Sequence, residues 1–151
     1  MVGKLGSGEC SSYRTGSLTL LDTHVLVWAL EGDDRLGERA RGLITEETEL
    51  LYSAITAWEL AMLVSKGKLK LTMPPSILLA RATTEARMSE VDINAEMGLD
   101  AGSMVAPIHG DPADRFLMAT ARILDCPLLT ADEKILVYAA AGHVKAIDAR
   151  R

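Results

Sequence analysis

Four acidic side chains occupy positions where an acid is out of place unless it has a job. Asp22 closes the short apolar run "SLTLLD", and Asp132 follows directly on "PLLT". Glu59 lies four residues after Ile55 and four before Leu63, and Asp114 is in line with Leu117, Met118 and Ala121. Residues four apart share a helix face, so Glu59 and Asp114 point where their apolar neighbours point. An ionised carboxylate in an apolar interior is costly unless it is paired or binds a metal. Arg115 adjoins Asp114 but projects about 100° away around the helix, so it is poorly placed to pair. A divalent cation shared among the acids resolves the conflict. Oxygen ligands without a Cys–His grouping suit hard ions, Mg2+ or Mn2+, rather than zinc. Such a pocket points to phosphoryl chemistry, with a metal-activated water and no side-chain nucleophile.

Each acid also has a plainer reading. Asp22 and Asp132 stand where helix N-caps stand. Asp111, before Pro112, reads as the cap of its helix, and Asp114 three residues later could complete a capping-box-like arrangement. Glu59 is mid-helix, where capping is unavailable, and its plain alternative is partial exposure. The repeated pattern, rather than any single acid, favours a site.

The elements that must position these residues alternate along the chain. "SLTLLD" and "ELLYSA" read as buried strands, "MSEVDI" as a weak one, and "PLLT" and "VKAID" as the last two. Between them fall helices: "THVLVWALEG" stopping at Gly32, "DDRLGERARGLITEE" from Asp33 or Asp34, and "ITAWELAMLVSKGK" as a buried helix to about Gly67. Pro74 and Pro75 open another helix, followed by "NAEMGLDAGSM", a helix from Pro112 to about Leu124, and one starting near Asp132. This alternation predicts an α/β fold, a three-layer helix–sheet–helix sandwich with parallel strands and crossover helices. In such sheets ligands bind beyond the carboxyl ends of the strands, where Asp22 and Asp132 lie.

The chain has 151 residues, enough for one domain with a real core. Its net charge of -5 argues against a broad basic surface that grips nucleic acid by phosphate neutralisation alone. Cys10 and Cys126 match no metal or redox spacing, and Cys126 reads as a small buried hydrophobe in a reducing, cytoplasmic protein. No apolar run approaches the roughly 18 residues of a membrane span. Residues 1–17, rich in Gly and Ser, lack the apolar stretch of a secretory signal and read as a flexible leader outside the fold. Residues 18–151 form the domain.

"LLDTHVLVWAL", "SAITAWELAML", "GDPADRFLMATA" and "LLTADEKIL" resemble, in order, the motifs of PIN-domain proteins, specifically the VapC-like toxins of bacterial toxin–antitoxin pairs. The resemblance runs from about Leu18 to Ile147. It implies a parallel five-stranded sheet, a homodimer, and Mg2+- or Mn2+-dependent endoribonuclease activity on RNA, restrained by a cognate antitoxin. The family's metal-binding acids fall on Asp22, Glu59, Asp114 and Asp132, and Thr23 and Thr130 match positions whose hydroxyls lie near the metal's waters or ligands. Arg115 is a candidate for contacting substrate or bracing a carboxylate. The long leader departs from the family's usual short start.

Other residues carry weaker signals. His24 reads as packed, and His109 and His143 as loop residues at the surface. Trp28 and Trp58 fall in apolar stripes and read as core. Lys66, Lys68 and Lys70 form a short basic patch suited to RNA phosphates. The apolar residues of helices 35–46 and 75–87 are candidates for a partner surface. Two other functions remain open: a PIN-like module that only binds RNA or protein, and a phospho-acceptor signalling domain. The second is disfavoured because Asp22 is followed by Thr and His rather than a second acid.

Overall fold

The computed structural model describes residues 17–46, 49–108 and 110–151. Five strands, β1 (Leu18–Leu21), β2 (Glu49–Ser53), β3 (Ser89–Val91), β4 (Leu128–Thr130) and β5 (Ala146–Asp148), make one sheet in the order β3-β2-β1-β4-β5. Every neighbouring pair is parallel, with Leu20 opposite both Leu51 and Leu128, and Thr130 opposite Asp148. The strands read as continuous apolar runs because both faces are covered. Alternate side chains go to opposite faces. Leu20, Leu51 and Leu128 meet Met97, Leu117, Met118 and Tyr138 on one side. Leu21, Leu50, Tyr52 and Leu129 meet Val25, Leu26, Leu60 and Leu78 on the other.

Seven helices among the described residues carry those partners: α1 (Thr23–Glu31), α2 (Glu38–Thr45), α3 (Ala54–Ser65), α4 (Pro75–Thr84), α5 (Ala95–Gly102), α6 (Pro112–Ile123) and α7 (Glu133–Ala140). Their ends follow local chemistry. Gly32 closes α1 in the left-handed conformation at φ 66°. Ser53, Asn94, Asp111 and Asp132 cap α3, α5, α6 and α7 through their side chains, and Pro75 opens α4. Arg122 on α6 pairs with Asp100 on α5 at 3.1 Å.

One boundary differs from the sequence-based expectation. The helix expected from Asp33 or Asp34 starts at Glu38. Asp33 instead folds a tight turn back onto Arg35, accepting from its backbone N at 2.9 Å and from its guanidinium at 2.7 and 3.0 Å. The start of α2 is set from the far end of the chain, where Ala149 O accepts from Gly37 N at 2.8 Å and Arg151 O from Ala40 N at 2.9 Å.

The strand order places a topological switch between β1 and β4. The chain builds outward from β1 through β2 to β3, then returns to add β4 and β5 on the other side of β1. Loops leaving β1 and β4 therefore diverge to opposite sides, opening a crevice at the carboxyl ends of the strands. Asp22 and Asp132 leave the sheet there.

Gly37 lies under the chain's last residues, and a Cβ on it would meet Arg151 backbone atoms at 2.3 Å. Its own φ of -70° suits any residue, so Gly37→Ala tests that contact rather than backbone strain. The variant should lose about 1–3 kcal/mol and melt about 2–10 °C lower. An unchanged melting temperature would remove the docked C-terminal segment from the account of α2.

Candidate active site

Asp22 is pinned before its side chain does anything. Its backbone N donates to Leu129 O at 3.0 Å, which continues the β1–β4 pairing one residue past the strand. Asp22 stands at the N-cap position of α1, yet its side chain makes no cap hydrogen bond. Its Oδ2 accepts from the Thr130 hydroxyl at 2.6 Å, and both residues are buried. The same hydroxyl oxygen accepts from Asp132 N at 3.1 Å, so Thr130 ties the ends of β1 and β4 together. Asp132 does act as a cap, its Oδ1 accepting from Lys134 N at 2.8 Å and Ile135 N at 3.1 Å. The capping alternative thus describes Asp132 and fails for Asp22.

Helices α3 and α6 pack against each other and bring in the other acids. Glu59 and Asp114 are each 7% exposed. One carboxylate oxygen from each, and one from exposed Asp111, lie within 4.8 Å of one another. Asp111 also caps α6, accepting from Ala113 N at 2.9 Å. Thr23 is buried with its hydroxyl 3.2 Å from that of Thr56, and it also hydrogen-bonds the Glu59 carboxylate. Glu59 Oε1 is buried with no hydrogen-bond partner among the described residues.

Crowding shows in the titration of these groups. Burial, reinforced by Asp22, Asp111, Asp132 and Glu59, pushes the Asp114 carboxyl up to about 8. Burial raises Asp22 above the ordinary range, against the opposing Thr130 hydrogen bond and the charge of His24. Burial also raises Glu59, against its Thr23 hydrogen bond, with Asp22 and Asp111 adding to the rise. A group of carboxylates in this condition takes up either protons or a cation. All donors are oxygen, and the orphaned Glu59 Oε1 wants a ligand, so the residues present fit a hard divalent ion.

The five acids therefore come from distant segments to one end of the sheet, held in two ways. Asp22 and Asp132 are joined through Thr130, and Glu59, Asp111 and Asp114 lie within an ion's reach of each other. Arg115 is half-buried, and its Nη1 donates to Ala101 O at 3.1 Å, between α6 and α5.

Several expectations need correction. His24, expected to pack, is exposed, and its charge is felt by Asp22 and Glu59. Trp28 is buried as expected, but Trp58 is 50% exposed. The helix carrying it, read as buried, keeps only Thr56, Glu59 and Leu60 fully inside. His143 is half-buried and stacks on Tyr138 at 4.4 Å between ring centroids. His109, Cys10 and residues 1–16 of the leader lie outside the described residues. The sequence reading used Asp111 only as a cap and passed over Thr56, although Thr56 stands three residues before Glu59 on the same helix face.

The Asp114 carboxyl keeps its proton to about pH 8 in the folded chain, whereas unfolding returns it to its ordinary value of 3.8. That contribution to stability is complete below about pH 4 and is lost as pH rises through about 8. In EDTA the melting temperature should fall across this window, and Asp114→Asn should flatten the fall. Even one pH unit of elevation is worth about 1.4 kcal/mol, so the variant should melt about 3–6 °C above the parent at pH 8. A lower melting temperature for Asp114→Asn would return Asp114 to a structural role at the helix start.

Known proteins match this geometry. The PIN domain family matches residues 19–141. Ribonuclease VapC22 of Mycobacterium tuberculosis is 32% identical over 116 residues, covering 77% of this chain and 88% of that protein. Among solved structures, VapBC2 from Rickettsia felis, bound to a DNA fragment from its promoter, superposes with a TM-score of 0.63 at 18% identity, covering 86% of this chain and 97% of that one. A toxin–antitoxin complex from Klebsiella pneumoniae gives 0.57 at 15% identity, over 86% and 96% of the two chains. At these identities the structures speak for the fold, which is the same parallel five-stranded sheet between helical layers. The family match over most of the chain, together with the identity to a VapC ribonuclease, establishes that this chain belongs to the PIN domain family and is a VapC-like member of it.

Proposed function

We propose that the chain is a divalent-metal-dependent endoribonuclease and the toxin of a toxin–antitoxin pair. The observation that carries this reading is the convergence of buried carboxylates from four chain segments on the β1/β4 switch point, with Glu59 Oε1 left unpartnered among the described residues. Asp22, Glu59, Asp114 and Asp132 are the residues that would hold Mg2+ or Mn2+. When bound, such an ion lowers the pKa of a water and neutralises charge on the phosphate under attack.

The chain's own residues prepare the site. Thr130 holds Asp22 in one orientation by the 2.6 Å hydrogen bond. Thr23 does the same for Glu59. Asp132 spends Oδ1 on the α7 cap, which fixes its carboxylate and leaves Oδ2 for the ion. Arg115, fastened to Ala101 O, sits one residue from Asp114 and braces that turn of α6. The exposed Lys66, Lys68 and Lys70 follow α3 and offer contacts to RNA phosphates away from the acidic pocket.

The partners belong to the same reading. The relative of known name is a ribonuclease, and structures of the same fold come from toxin–antitoxin complexes. Trp58 on α3 and Ile77 on α4 are each 50% exposed, and the two helices pack together. Large apolar side chains left in water in this way suit an antitoxin or a second copy of the chain. No described helix is long and apolar enough to cross a membrane.

Incubation with single-stranded RNA should give cleavage in Mn2+ or Mg2+ and none in EDTA. The products should carry 5′-phosphate and 3′-hydroxyl ends, because water and not the ribose 2′-hydroxyl attacks. Asp22→Asn, Glu59→Gln, Asp114→Asn and Asp132→Asn should each slow cleavage by at least about 100-fold. Asn caps a helix about as well as Asp, so Asp132→Asn separates the charge from the cap. Products ending in a 2′,3′-cyclic phosphate and persisting in EDTA would refute the mechanism. RNA binding without any cleavage would favour a non-catalytic binding module.

A further inference from the structure

The acids fall into two groups by what holds them. Asp22 and Asp132 are joined through the Thr130 hydroxyl at the ends of β1 and β4. Glu59, Asp111 and Asp114 each bring one carboxylate oxygen within 4.8 Å of the other two. Two oxygens on opposite sides of one Mg2+ stand about 4.2 Å apart, twice the metal–oxygen distance of about 2.1 Å. The second group thus has the span of one coordination shell after a small closure. Among the described residues, neither Asp22 nor Asp132 belongs to it.

An independent observation marks this group as the seat of a ligand. Glu59 is 7% exposed, and its Oε1 is buried without a hydrogen-bond partner among the described residues. Leaving such an oxygen dry and unpaired is costly, and it lies on the carboxylate that completes the group. Asp111 has committed Oδ1 to the α6 cap, which orients its carboxylate at the mouth of the group. The partly positive N-terminus of α6 works against a cation there, and three formal negative charges outweigh it.

We propose that Glu59, Asp111 and Asp114 hold a divalent cation of their own, of the hard, oxygen-seeking class of Mg2+ and Mn2+, beside a first ion held by Asp22 and Asp132. Asp114 stands between the two positions, since its carboxyl senses Asp22 and Asp132 as well as Glu59 and Asp111. The site then takes two ions, an arrangement that recurs in phosphoryl transfer, where one ion serves the attacking oxygen and the other the leaving oxygen. The catalytic meaning of the second ion rests on the nuclease reading; the binding itself does not. Asp111 becomes a ligand as well as a cap.

The test is Mn2+ stoichiometry of the full chain without RNA, read as the loss of free Mn2+ signal by electron paramagnetic resonance. The parent should bind two ions per chain. Asp111→Asn, which keeps a good cap, should bind one with unchanged affinity and the other at least about 10-fold more weakly. Asp111→Ser, also a good cap, should behave alike, and melting curves in EDTA establish that both variants fold. A parent that binds one ion, or an Asp111→Asn chain that binds two as tightly as the parent, would overturn the proposal. Two bound ions in a chain that cuts no RNA would sink the nuclease reading and leave this one standing. One bound ion in a chain that cuts RNA would do the reverse.

Discussion

Like charge gathered in a poorly hydrated corner is the constraint around which this molecule is organised. Two carboxylates about 5 Å apart repel by about 3 kcal/mol at the effective dielectric of a protein surface region, and Asp114 feels four other acids at once. Nothing local to α6 would choose that arrangement. It persists because each acid is delivered by an element whose position is decided elsewhere. Asp22 is fixed by β1–β4 pairing, Glu59 by a helix anchored through buried Leu60, and Asp114 by the helix that also buries Leu117 and Met118. The two apolar layers hold the acids together against their repulsion. A small set of polar contacts then decides where each carboxylate points. Thr130 and Thr23 are the central ones, since each hydroxyl is buried and each touches a carboxylate.

Topology explains why the corner is where it is. A parallel sheet sends every strand's carboxyl end the same way, and the order β3-β2-β1-β4-β5 leaves one gap between diverging loops. Residues just beyond β1 and β4 flank that gap, and α3 and α6 border it. Four segments far apart in the chain can thus contribute one side chain each without any long loop. The same economy ties the far end of the chain into the frame. The segment after β5 accepts hydrogen bonds from Gly37 and Ala40, and Arg150 joins Asp148 at the end of β5 to Glu133 at the start of α7 at 2.9 and 2.6 Å. That second link lies next to Asp132.

Most of the frame was legible in the sequence because its signals are local. Ser53, Asn94, Asp111 and Asp132 announce helix starts, Pro75 does so by its fixed φ, and Gly32 announces a stop. Apolar runs of three to five residues announced the strands. The misses have a common cause in non-local contact. The start of α2 is set by hydrogen bonds from residues 149 and 151, over a hundred positions away. Trp58 was misplaced because α3 is apolar nearly all round, so periodicity offers no face to choose. Asp111 was read as a cap, correctly, but a cap uses only one carboxylate oxygen. What the other faces depends on Glu59, fifty-two residues earlier in the chain. Which residues share a helix face is a matter of arithmetic, whereas which helices share a crevice is a matter of the whole fold.

Charge also orders events at the site. The chain carries -5 overall and concentrates buried acids where a phosphate would have to approach. A polyanion meeting that surface is repelled before any specific contact forms. A cation in the pocket reverses the sign of the local field, so ion and RNA are thermodynamically linked: each raises the affinity for the other by the same factor. The exposed lysines after α3 cannot replace the ion, because they lie beyond the helix that carries Glu59 and act on the strand at a distance screened by salt. Their contribution falls as ionic strength rises, while that of an ion seated among buried carboxylates falls much less. Recognition of the RNA backbone and reaction at one phosphate are therefore separable by salt, which follows from the burial of one set of charges and the exposure of the other.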